Sequence, residues 1–203
     1  MLKKSYQILD IFLKNPTATY LFADIKNHIG SKSESYTFES INLFVSEGIL
    51  TKEKKGGLSF YKVSESPKAL SFLSMAAEFK AWKNEFIPKD IISKLIENVG
   101  INFFSLLVVG SYAKNKQTKK SDLDVVIIVP ADAKKISSRL HHFCEMSIPK
   151  IDLHVFTMDE FKDMLLDQKH NFGKEAVLNN FVFFGTEAYY KLLFEVMKRG
   201  FSY

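Results

Sequence analysis

Apolar positions in the first third of the chain recur at helical spacing, broken by clear stops. Tyr6, Leu9, Ile11, Phe12 and Leu13 predict an amphipathic helix over 3–14 that ends before Asn15-Pro16. Thr19 is placed to cap a second helix over 20–29, with Leu21, Phe22, Ile25 and Ile29 inward and Gly30 as its stop. Ser33 or Ser35 opens a third helix carrying Phe38, Ile41, Phe44 and Val45, which Gly48 closes. Two β-prone runs then flank Gly56-Gly57, the composition of a hairpin turn.

Ser64–Pro67 reads as a boundary. Helical periodicity covers 69–98, with a break at Pro88, and the pattern then alternates. Strands are expected at 103–109, 123–129, 151–156 and 181–184. A short turn at 112–116 and helices over 133–146, 157–167, 175–180 and 187–199 lie between or after them. Thr157 and Glu160 have capping-box spacing. Strands alternating with helices indicate an α/β or mixed sheet.

Composition narrows the picture a little. The 203 residues, 46% hydrophobic, suffice for one large domain or two small ones. A net charge of +5 suits an anionic partner without requiring one. Cys144 is the only cysteine, so no disulfide forms within the chain and a reducing cytoplasm is the expected setting. The basic start is followed by apolar residues interrupted by Asp10 and Lys14, unlike a signal peptide, and no apolar run has the length of a membrane span.

The candidate chemistry sits between two apolar runs. Gly110-Ser111 follows one, ten residues intervene, and Asp122-Leu123-Asp124 opens the next. In a strand Asp122 and Asp124 share a face, where two carboxylates repel unless a cation stands between them. Asp152 is a third acid in a later apolar run. His154 shares its strand face, with no role assigned. His141, His142 and Cys144 lack the second cluster of a tetrahedral zinc set and read as helix-surface and core residues.

The Gly110-Ser111 and Asp122-Leu123-Asp124 pattern, with Asp152 behind it, resembles the minimal nucleotidyltransferases of the DNA polymerase β-like superfamily over about residues 90–199. The resemblance implies ATP or another NTP as substrate and two Mg2+ ions, replaceable by Mn2+, held by Asp122, Asp124 and Asp152. Gly110 and Ser111 would grip phosphates, with Lys114 and Lys120 near them; Lys119 lies in the same loop. Asn115 stands where the family often has Gly. Some relatives of this kind resemble antitoxins that adenylylate a tyrosine of a HEPN-type toxin partner; others modify antibiotics or RNA ends.

Residues 1–64 resemble a winged helix-turn-helix, whose third helix would enter the major groove while the hairpin touches phosphates. The DNA contacts would then be Lys32, Ser35, Tyr36, Thr37, Lys54 and Lys55. Nine Lys stand against six acids there, yet Glu34 and Glu39 on that helix oppose phosphate, and a packing or protein-contact role is the competing reading. The expected organisation is thus two domains. A winged helix (1–64, α+β) is followed by a connecting helix (65–89) and an α/β nucleotidyltransferase domain with a small mixed sheet (90–203). The expected activity is metal-dependent transfer of NMP, AMP by resemblance, to a hydroxyl. The alternative is a transcription regulator whose second domain senses nucleotide.

Overall fold

The middle strand of the larger sheet explains its own apolar sequence. Leu123–Val129 is buried on both faces apart from Asp124, so its side chains alternate between two cores and no polar face remains. The structure is a computed structural model that describes residues 4–202. The chain divides into two compact units, Met1–Ala77 and Glu78–Tyr203.

The first unit begins with a 3-10 helix, Lys4–Ile11, followed by β1 (Tyr20–Leu21), α1 (Phe22–His28) and α2 (Glu34–Ser46). Then come β2 (Leu50–Lys55) and β3 (Leu58–Val63), joined through Gly56-Gly57. The strand order is β1-β3-β2, all antiparallel. Ile8, Leu9, Phe12, Ile25, Ile41 and Phe44 form its buried apolar side. Two expectations are corrected. The first helix is 3-10, not α. Thr19 caps nothing, because Tyr20 and Leu21 pair with Tyr61 and Phe60 and the helix starts only at Phe22. Asp24 takes over at that end, accepting the Leu21 N–H at 2.8 Å. Ser33 does cap α2, its Oγ accepting the Tyr36 N–H at 3.2 Å.

The division between the units falls within α3 (Pro67–Lys83). The second unit continues through α4 (Lys89–Asn98), β4 (Ser105–Val108), α5 (Gly110–Ala113), β5 (Leu123–Val129) and α6 (Ala133–Met146). After these come β6 (Ile151–Thr157), α7 (Met158–Leu166), α8 (Phe172–Leu178), β7 (Phe181–Phe184) and α9 (Thr186–Lys198). The sheet is mixed, ordered β6-β5-β4-β7, with β5 and β6 parallel and the other pairs antiparallel. One face packs on α4 and α6 through Ile92, Leu95, Ile136 and Leu140 against Leu106, Val125 and Ile127. The other face meets α7 and α9. Helix α7 starts with the capping box seen in the sequence, Thr157 Oγ1 accepting the Glu160 N–H at 3.2 Å and Glu160 accepting the Thr157 N–H at 2.7 Å. Helix α8 begins earlier than its apolar pattern indicated, because Asn171 caps it by accepting the Lys174 N–H at 3.1 Å.

Candidate active site

Gly110, two residues past β4 and the first residue of α5, has φ +63°, a left-handed turn that a side chain resists. The position has a second reason to be glycine, since a Cβ there would meet the Asp124 carboxylate. The turn winds straight into the short α5, whose chain end is tied by the Lys116 N–H to the Ser111 carbonyl at 2.9 Å. Asn115 sits at φ 52°, a left-handed geometry that Asn tolerates better than other non-glycine residues.

Strand pairing aligns the acids. Asp124 and Asp152 are register partners on the parallel β5 and β6, so both lie on one sheet face, and Asp122 precedes Asp124 by one strand repeat. Asp124 is half-buried, whereas Asp122 and Asp152 are exposed. Burial is the largest force raising the Asp124 pKa, followed by the charge of Asp152; Asp122 adds to it. The Ser111 backbone N–H and His154 act in the opposite direction. His154 Nε2 stands 3.3 Å from Asp152 Oδ2. Its ring lies 4.4 Å from that of Phe172, which fixes its side of β6.

Among the described residues, no three His, Cys, Asp or Glu side chains gather closely enough, as placed, to hold a metal ion. The donor chemistry nevertheless fits a hard divalent cation. Asp124 and Asp152 offer carboxylate oxygens on one face, Asp122 lies two residues before Asp124, and burial, then the Asp152 charge, penalises Asp124 when it is charged without a counter-ion.

Lys114 and Lys120 are exposed in the loop between α5 and β5. In the first unit Lys32, Ser35 and Tyr36 are exposed at the start of α2, and Lys54 and Lys55 are exposed on the hairpin. Lys55 pairs with Glu53 at 3.0 Å. Thr37 is corrected as a DNA contact. It is fully buried and its Oγ1 donates to the Ser33 carbonyl at 3.0 Å, so it serves the helix start.

A cleft of about 410 Å³ opens between α6 and β6 beside Asp122 and Asp152, and sequence reasoning missed it. The signal was present: Ser137, His141 and Glu145 recur every four residues on α6, one face of the helix, beside the buried Ile136, Leu140 and Cys144. Lys150, one residue before β6, closes the cleft by pairing with Glu145 at 3.0 Å.

Comparison with curated proteins gives no match. Residues 88–183, which span α4 to β7 and include the Gly110 turn and all three acids, match the family model of the nucleotidyltransferase domain, and transfer of a nucleotidyl group is the general activity that this match supports.

Proposed function

We propose that this chain is a metal-dependent nucleotidyltransferase that moves NMP, AMP first, from an NTP to a hydroxyl acceptor. The observation that supports it most is the Gly110 turn closing onto Asp124, with Asp152 in register beside it. Asp122, Asp124 and Asp152 would hold Mg2+, or Mn2+ in its place. Such ions neutralise phosphate charge and acidify an acceptor hydroxyl.

The chain's own residues position and neutralise. The Gly110 turn lets the backbone approach a phosphate without a side chain in the way, and the Ser111 hydroxyl adds a donor there. Lys114 and Lys120, exposed beyond it, supply cations for the triphosphate. The acceptor oxygen bonds to the α-phosphorus as the bond to the bridging oxygen breaks. Pyrophosphate leaves with that electron pair, and the acceptor proton passes to the Asp152 carboxylate and then to solvent.

The test is transfer of α-label from each of the four NTPs with Mg2+ or Mn2+. Acceptor arms comprise host extract, a HEPN-type partner protein and defined hydroxyl compounds, and the Asp122→Asn/Asp124→Asn variant is the control. Label on a discrete product, absent with the variant, is the expected result. NTP binding without transfer in any arm would leave a nucleotide sensor instead.

A second reading, DNA binding by residues 1–64, has its own support. That support is the helix and strand order of the first unit, with its β1-β3-β2 sheet and the lysines on the β2–β3 hairpin. Footprinting upstream of the chain's own gene tests it. Lys54→Ala/Lys55→Ala should weaken binding across all sequences and flatten its salt dependence. Nucleotide that shifted this affinity would join the two readings into a regulator that responds to its substrate.

A further inference from the structure

Strand β6 carries one more polar side chain on the face of the acids. Asp152, His154 and Phe156 alternate onto that face, opposite Leu153 and Val155, which pack into the core shared with α4 and α6. Asp124 is hemmed in by the Gly110 turn and accepts the Ser111 N–H. The Asp152 side chain is about half exposed, and a carboxylate so placed turns freely about its side-chain bonds unless something holds it. Among the described residues, the group at ion-pair distance from it is the His154 imidazole, with Nε2 standing 3.3 Å from Oδ2. An ionised carboxylate only accepts, so the ring nitrogen that faces it carries a proton.

We propose that His154 is a positioning residue: its Nε2–H holds the Asp152 carboxylate, and Phe172 at the start of α8 fixes the ring that does so. This rests on the metal-dependent reading above. The contact uses one carboxylate oxygen and leaves the other for a divalent cation. Carboxylates that bind metals are themselves oriented by hydrogen-bonded neighbours, and removing such a neighbour weakens the site.

The ring is braced from behind. Its centroid lies 4.4 Å from that of Phe172 and 6.4 Å from that of Phe156, nearly parallel to the latter. The start of α8 sets Phe172 in turn. Asn171 accepts the Lys174 N–H at 3.1 Å, and its Nδ2 donates to the Met164 carbonyl on α7 at 2.6 Å. Next to Phe172, a Cβ on Gly173 would stand 2.9 Å from Met164 Cβ, so α8 begins in close contact with α7. Contacts therefore run without a break from α7 through Asn171, Phe172 and His154 to Asp152. A histidine kept only as core filling needs no ring nitrogen on a carboxylate, yet His154 is one-third exposed and meets Asp152 on its open side.

The experiment titrates the full chain with Mn2+, without nucleotide, by calorimetry, and records urea unfolding of each variant alongside. His154→Leu keeps apolar bulk against Phe172 and removes the donor, and it should weaken Mn2+ binding by about tenfold. His154→Gln offers an amide N–H at similar reach and should recover most of that loss. Phe172→Ala keeps the donor and frees the ring, so its affinity should fall between those two. Lost packing alone would make affinity follow the urea midpoints rather than the presence of a donor. Parental affinity in the leucine variant, or a glutamine variant no better than leucine, would overturn the inference. Parental affinity in the Phe172 variant would overturn the part given to α8. A parent chain that binds no Mn2+ would instead strike the metal-dependent reading beneath, and this inference with it.

Discussion

A Cβ placed on Gly110 would lie 1.9 Å from Asp124 Oδ2, so the turn after β4 and the acid on β5 fit only while residue 110 has no side chain. Gly110→Ala meets two penalties. Its backbone stays at φ +63°, costing roughly 1–2 kcal/mol for an L-residue, and its methyl displaces the Asp124 carboxylate. Urea unfolding should show the first loss. Transfer should fall by about a hundredfold, the usual consequence of an ångström of misplacement. Full activity in the alanine variant would mean that Asp124 is not needed where the turn holds it.

In the absence of a cation the fold opposes the charge of Asp124, whose pKa is pushed up by burial first and by Asp152 next. Asp124→Asn removes that charge and keeps the shape. The metal-free variant should therefore melt a few degrees above the parent chain, although it transfers no nucleotide. Mg2+ should raise the parent's Tm in proportion to ion binding and leave the variant's nearly flat. Calorimetric melts with and without EDTA read both effects. A variant that melted lower without metal would refute the view that Asp124 is a site held at a cost to stability.

Much of the second unit was readable because its signals are local. The 133–146 helix, the 181–184 strand, the Thr157 capping box and the Gly110 to Asp124 spacing all lie within short stretches whose chemistry needs no partner. Misreadings came where a distant segment decided the outcome. Tyr20 and Leu21 look helical until Phe60 and Tyr61 offer them a strand edge. Thr37 looks like a surface contact because burial on α2 is settled by packing within the first unit rather than by its own polarity. The α6–β6 cleft needed both the polar stripe on one helix and the end of a strand that only the parallel β5–β6 pairing brings beside it.

The corner between β7 and α9 provides a stability test away from the acids. Thr186 is 1% exposed and its Oγ1 donates to Glu78 Oε1 at 2.6 Å, while Ser105 Oγ donates to the Gly185 carbonyl at 2.7 Å. Glu78→Ala leaves a buried hydroxyl without its acceptor, which costs about 1–3 kcal/mol. Glu78→Gln keeps an acceptor oxygen and should recover most of that loss. Trp82, the only tryptophan, reports the change: its Nε1 donates to the Phe183 carbonyl at 3.2 Å, so its fluorescence follows unfolding of this unit. Equal midpoints for the alanine variant and the parent would show that water replaces Glu78 at no cost.

Cys144 gives the chain a pH dependence that can be separated from the reaction. Burial, with the Glu145 charge as a smaller contributor, pushes its thiol from 9.0 up to about 11. Between those values the unfolded chain has lost the proton and the folded chain still holds it. Folding stability therefore falls as pH rises through that window, and the contribution is fully present below it. Cys144→Ala should flatten this alkaline fall. At neutral pH the same shift leaves about a hundredfold less thiolate than in the unfolded chain, so iodoacetamide should label native protein slowly and denatured protein fast. Rapid, complete labelling of the native chain at pH 7 would show that the thiol faces open solvent in the α6–β6 cleft rather than the buried side of α6.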